Sequence, residues 1–335
     1  MTIQDFRAIP LSDSIVHALI SATQAYAELD VLMTEHPETK LLLSDMMLVL
    51  DVYYQHYDAQ PDIEDVCQAL YIPEKKSTLS KSIAVFENCL LYAKSKISET
   101  EVLTAGDIIK IDDAIRITDA EFLTPDIVPA DCEQLIERIW SILYDLYSPQ
   151  RQYPLPLEAA IACYRFLALP ETKHLTLQTL TILFSTVYEN ELAFSGFARQ
   201  WMLSTDPRVH IFSIDASDAL AHILKVFRCM WTYTATLIRI TKQKKTEVSL
   251  CVSMALPQYM PSGCGQFLSE SLCTRTRDIS DRFNLSQKTA TKYLRQLEQK
   301  DIVHSVKNWR DVYYFNNLLI DLLKDQLLGY PAYGA

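Results

Sequence analysis

Apolar residues along this chain recur mostly at helical spacing. Between Glu158 and Leu169, positions Ala159, Ala160, Ala162, Cys163, Phe166 and Leu167 predict a buried helix. Pro170 should end it, because its ring removes a donor and disfavours helix at the residue before. A second apolar helix is expected from Leu175 to Tyr188, through Leu177, Leu180, Leu183, Phe184 and Val187. The longest apolar stretch, Ala219 to Ile240, carries Lys225, Arg228 and Arg239 in helical alternation and reads as a buried core helix, not a membrane span. Lys242-Gln243-Lys244-Lys245 should close that helix, where positive charge suits the dipole. Alternation over Ala114-Ile115-Arg116-Ile117-Thr118 suits a short strand. Pro257, Pro261, Ser262, Gly263 and Gly265 then mark a boundary near 254–265.

A second strong pattern follows this boundary. Thr276 can cap a helix running through Asp278, Ile279 and Phe283, and Asn284 suits a left-handed turn. Ser286 can cap a longer helix, Gln287 to Lys300, whose buried stripe is Ala290, Tyr293, Leu294 and Leu297. Two β-patterned runs, Ile302–Val306 and Val312–Phe315, are joined by Lys307-Asn308-Trp309-Arg310-Asp311. This order, with the pattern from Leu285-Ser286 to Ile302-Val303, resembles a winged helix-turn-helix over 264–328. The resemblance implies that Gln287, Lys288, Thr291, Lys292 and Arg295 face outward as nucleic-acid-binding candidates, with Trp309 and Arg310 at the wing tip. Fold and binding are separate matters. Winged helices also serve as docking or dimerisation modules, so double-stranded DNA, a protein partner and a homodimer all remain open.

Composition narrows the class. The chain has 335 residues, 49% of them hydrophobic, with a mean hydropathy of +0.02, which is the profile of a globular protein with room for two domains. No basic segment precedes an apolar stretch at Met1–Leu19, so a cytoplasmic location without a signal peptide is expected. Eight scattered cysteines show no CxxC spacing, and neither a metal nor a cofactor is expected. Residues 1–150 hold ten Lys/Arg against twenty-six Asp/Glu, whereas residues 151–335 hold twenty-one against sixteen. Only the C-terminal part could approach nucleic acid favourably.

The helix pair around Pro170 carries a further resemblance. Tyr164-Arg165-Phe166, the two helices and their spacing resemble the Fic family, whose active members place an HxFx(D/E)GNGRxxR loop between such helices. Here Pro170 stands at the catalytic His position and His174 at the acidic metal ligand. Leu175-Thr176-Leu177 replaces Gly-Asn-Gly, and Gln178 and Thr181 stand at the two arginines. Thus Pro170, His174, Thr176, Gln178 and Thr181 are vestigial positions, and no catalytic residue is assigned. His174 could be proposed as a displaced base, against a surface or cap-region histidine. Physics agrees with a loss of activity: phosphate-cradling loops need glycines at a helix N-terminus, and no glycine falls between Gly106 and Gly196.

Elsewhere the likeness is broad. Ala25 to Leu32 is similar to the family's "LxxLDGL" helix. Gly106–Lys110 and Glu121–Pro125 are similar to the ends of its β-hairpin flap, expected over about 104–125. Its inhibitory (S/T)xxxE(G/N) motif should lie near 48–55, where Tyr53 and Tyr54 replace Glu and Gly. The combined expectation is a mostly α protein. A Fic-like core over 1–253 would have N-terminal helices over about 1–100, the flap, and core helices over about 130–253. A winged helix at 264–328 and a flexible tail at 329–335 would follow. The expected role is a catalytically inactive binding or regulatory module. The alternative is a nucleotidyl- or phosphotransferase with a rebuilt site.

Overall fold

The computed structural model describes residues 12–55, 62–72, 78–100, 102–117, 133–147, 153–169, 175–188, 194, 215–256, 261 and 263–328. These residues are mostly helical. In chain order the helices are α1 (Asp13–Glu35), α2 (Lys40–Gln55), α3 (Ile63–Tyr71), α4 (Thr78–Thr100), α5 (Ala105–Ile117), α6 (Glu133–Leu146), α7 (Leu155–Leu167), α8 (Leu177–Val187), α9 (Ala216–Ala255) and α10 (Cys264–Ser269). Then come β1 (Cys273–Arg275), α11 (Thr276–Phe283), α12 (Gln287–Glu298), β2 (Val303–Asn308), β3 (Asp311–Asn316) and α13 (Asn317–Leu328). Described residues within 1–34 and 81–235 form one compact unit, and those within 35–80 and 236–331 form another.

In the first unit, the expected apolar helix pair is present as α7 and α8. Leu175, Leu177, Leu180 and Leu183 are all buried. An aromatic cluster closes the core beside them: Phe184, Phe194, Phe227 and Trp231 have neighbouring ring centroids 5.4–6.3 Å apart, and Tyr26 of α1 meets Trp231 edge-on at 5.1 Å. Such tilted and edge-to-face pairs add stabilisation beyond area burial. Arg165 is buried as well. Its guanidinium donates to Asp145 and to the Ser141 hydroxyl, which ties α7 to α6.

The flap expectation is overturned where it can be seen. Gly106–Lys110 and the expected strand from Ala114 are helical in α5, whereas Thr118 and Glu121–Pro125 lie outside the described residues. The reason is a capping box. Thr104 Oγ1 accepts from the Asp107 N–H at 3.2 Å, and Asp107 Oδ2 accepts from the Thr104 N–H at 2.9 Å. Leu103, Ala105, Ile108, Ile109, Ile111 and Ala114 are buried at helical spacing, which outweighs the short Ile115/Ile117 alternation.

A second correction concerns α9, which runs past Ile240 to Ala255, so Lys242–Lys245 lie inside the helix. No breaker occurs before Pro257, and Thr241, Lys245, Val248 and Val252 continue one buried stripe. Lys245 joins it by burying its stem while Nζ donates to the Glu38 carbonyl at 2.9 Å.

In the second unit the sheet is antiparallel, with order β1-β3-β2. Cys273 pairs with Phe315, and Val303 through Asn308 pair with Asn316 back to Asp311. Residues from α3 and α13 belong to the same packing: Tyr71 meets Phe315 edge-on at 6.3 Å, and Lys324 donates to Glu64 at 2.7 Å. Helix α10 lies close to the end of α9. A Cβ added at Gly265 would sit 2.9 Å from the Ser249 carbonyl oxygen, so only glycine permits this approach.

Candidate nucleic-acid interface

The N-terminus of α8 is where the Fic resemblance would place a phosphate cradle. Pro170 and His174 lie outside the described residues. Thr176 caps α8, its Oγ1 accepting from the Thr179 N–H at 3.1 Å. Asp112 of α5 reaches the same turn. Its Oδ1 accepts from the Thr176 N–H at 2.6 Å and from the Thr179 hydroxyl at 2.8 Å, while its Oδ2 accepts from Arg116. A carboxylate of the chain itself, 4% exposed, thus takes donors that a helix start would otherwise present to an anion. Leu175 and Leu177 point their bulk inward, Gln178 is half-buried, and the Thr181 hydroxyl donates to the Leu177 carbonyl. The described residues of this region serve packing and capping.

Nucleophiles are equally subdued. Burial pushes the Cys67 and Cys89 thiols up to about 12 and the Cys264 thiol up to about 11, which keeps them protonated near neutrality. Burial also raises the Cys163 thiol well above its ordinary value. Among the described residues no group of His, Cys, Asp and Glu could hold a metal ion, and no helix is long and apolar enough to cross a membrane.

The surface of α12 has a different character. Asn284 ends α11 in the left-handed conformation, with φ 50° and ψ 45°, and its N–H donates to the Ser280 carbonyl. The cap on α11 differs from expectation, because Thr276 is the first helical residue and Arg275 precedes it. Asp278 Oδ2 reaches back to the Arg275 N–H at 2.8 Å, and its carboxylate also binds the Arg275 guanidinium. Ser286 caps α12 by accepting from the Thr289 N–H at 3.1 Å. Ala290, Tyr293, Leu294 and Leu297 are buried, as their spacing requires.

Turning that stripe inward leaves Gln287, Lys288, Lys292 and Arg295 exposed, with Thr291 half-buried and its hydroxyl bonded to the Gln287 carbonyl. Lys288, Thr291, Lys292 and Arg295 line one shallow groove along the helix. Thr289, Gln296 and Gln299 line it as well, and no sequence pattern points to them. Arg295 also approaches the Tyr314 phenol, which burial and Glu298 push upward and Arg295 pulls back.

Arg310 lies apart from this helix in sequence, in the two-residue turn between β2 and β3, and is exposed. Its neighbour Trp309 is 83% exposed and adopts φ 53°. A bulky side chain with positive φ is a backbone outlier costing about 1–2 kcal/mol. Two-residue hairpins normally place Gly, Asn or Asp at such positions. The sequence identifies the turn, but the strain shows only in the backbone angle of Trp309. No protein-family model matches the chain, and no curated protein matches it.

Proposed function

We propose that this chain is a non-enzymatic, Fic-like regulatory protein that binds double-stranded DNA through residues 264–328, folded as a winged helix. The observation that carries the reading is the outward face of α12, where Gln287, Lys288, Thr291, Lys292 and Arg295 share one exposed or half-exposed side. Lysine and arginine there can contact phosphates, and arginine and glutamine can reach base edges in a major groove. The order α10, β1, α11, α12, β2, β3 and the left-handed Asn284 turn support the winged-helix assignment. The Fic-like assignment rests on α7, α8 and their sequence. Occupation of the α8 N-terminus by Asp112 supports the non-enzymatic half of the proposal. A reducing, cytoplasmic setting is in keeping with buried thiols that fill the core as small apolar groups.

The test is fluorescence anisotropy of the full chain with random-sequence and genomic duplexes, beside the triple variant K288A/K292A/R295A. The triple variant should keep its far-ultraviolet circular dichroism and bind at least tenfold more weakly. Equal binding by the two proteins would remove α12 from the interface. Stoichiometric labelling by nucleotide with magnesium or manganese would overturn the non-enzymatic half.

A further inference from the structure

The hairpin tip presents a costly combination. Trp309 is the most exposed large apolar side chain among the described residues, and it stands at a positive φ that glycine would adopt freely. Its backbone is held rigidly: β2 and β3 pair through six residues on each strand, up to the Asn308–Asp311 pair that closes the turn. Beneath the turn, Tyr313, Tyr314 and Phe315 are buried, so the tip is anchored in the core of its own unit. Neither burial nor backbone preference explains a tryptophan here. Exposure alone is ordinary for a single apolar side chain, but exposure together with the positive φ is what an external partner for the ring would account for.

The surroundings of the ring select the partner's chemistry. Along the chain, exposed Lys307 stands two residues before Trp309 and exposed Arg310 one residue after it, followed by the exposed acid Asp311. An exposed aromatic side chain with cations at neighbouring positions of the hairpin tip suits a π-stacked base bracketed by phosphates. Aromatic side chains gain by stacking on any base, and apolar wedges inserted between base steps unstack them and bend the duplex. We infer that Trp309 is a wedge which enters the base stack of bound duplex DNA, with Lys307 and Arg310 holding the flanking phosphates. This inference rests on the DNA-binding reading above and adds a distortion of the DNA to it. A wedge favours readily unstacked pyrimidine–purine steps, so it would contribute sequence preference without a hydrogen bond to any base.

The experiment uses the full chain and three variants: Trp309→Gly, Trp309→Phe and K288A/K292A/R295A. Duplexes carry 2-aminopurine at each position in turn, and a second set carries a dye pair at the ends to report bending. Thermal unfolding is followed in parallel. Trp309→Gly relieves the backbone outlier, so its midpoint should equal or exceed that of the native chain. It should nevertheless lose the 2-aminopurine increase and the change in end-to-end distance, and bind roughly 5- to 150-fold more weakly. Trp309→Phe should keep most of both signals.

If the native chain binds duplex while Trp309→Gly binds equally well without altering either signal, the wedge is overturned and the α12 reading stands. If the native chain binds no duplex at all, both fall. Attachment to anionic vesicles that depends on Trp309, without any base unstacking, would also overturn the wedge and make the tip a membrane contact.

Discussion

Asp112 joins two helices that are far apart in sequence, and replacing it with alanine is the most revealing perturbation of the first unit. Its carboxylate accepts from the Thr176 N–H, the Thr179 hydroxyl and the Arg116 guanidinium, and it is 4% exposed. The three losses are unequal. Thr179 Oγ1 also lies 2.7 Å from Thr176 Oγ1, so its hydroxyl retains a partner. Arg116 is partly exposed, and water replaces its acceptor at little cost. The Thr176 N–H sits at a half-buried helix start between buried Leu175 and Leu177, so its loss weighs most of the three. Leaving such a donor unsatisfied costs about 1–3 kcal/mol, and losing a charged acceptor near a helix N-terminus adds about 0.3–1 kcal/mol. Asp112→Ala should therefore destabilise by roughly 1–4 kcal/mol, and Asp112→Asn by less, since the amide oxygen can still accept. Urea unfolding followed by circular dichroism reads this as a lower midpoint at unchanged slope. A loss below about 0.5 kcal/mol, the usual range of neutral surface substitutions, would refute the bridging role.

Three further outcomes follow from the packing and from one titration. Leu180→Ala, at a fully buried position, should cost about 2–5 kcal/mol in the same assay, and a wild-type midpoint would mean that this face of α8 is open. Gly265→Ala should cost about 1–3 kcal/mol, because its Cβ would press on the Ser249 backbone oxygen, and limited proteolysis should then cut more readily between α9 and α10. At Asp107, burial raises the carboxyl, but hydrogen bonds from Thr104 and Tyr92 outweigh it and the net direction is downward. A depressed acid contributes stability above its ordinary value near 4 and loses it as pH falls through its folded value, so Asp107→Asn should flatten the acid limb of a stability-against-pH curve. An unchanged limb would contradict this.

Much of the helical framework is legible because it is written locally. The stripes of α7, α8 and α12, the Asn284 turn and the Ser286 cap each depend on residues within a few positions of one another. The hairpin also emerges from short apolar runs and a polar turn, although each strand extends slightly beyond its run. Local pattern misleads where two local signals compete. At 104–117 a capping box and a six-residue buried stripe prevail over two alternating isoleucines. At Lys242–Lys245 the positive run suits a helix end, whereas Lys245 lies along the buried side with its amine on a distant carbonyl.

The unread features are those made by distance along the chain. Asp112 and Thr176 are 64 residues apart, and nothing at either position announces the bond. Strand β1 has only three residues and is defined by its partner β3. Tyr71 and Glu64 of α3 pack with Phe315 and Lys324, a grouping of early and late residues that no pattern reveals. At α12 the candidate residues Gln287, Lys288, Thr291, Lys292 and Arg295 share a side because helix period alone puts them there. Arg310 joins the list through the hairpin instead.

The central claim is duplex binding by the α12 face, and its most direct measurement is the salt dependence of affinity. Each phosphate contact releases close to one counterion, so a plot of log affinity against log salt has a slope near −0.9 per contact. The native chain should bind duplex with a clearly negative slope, and K288A/K292A/R295A should reduce its magnitude by about 2–3. Binding no tighter than about 10⁻⁴ M at low salt, or an identical slope for the two proteins, would contradict the account.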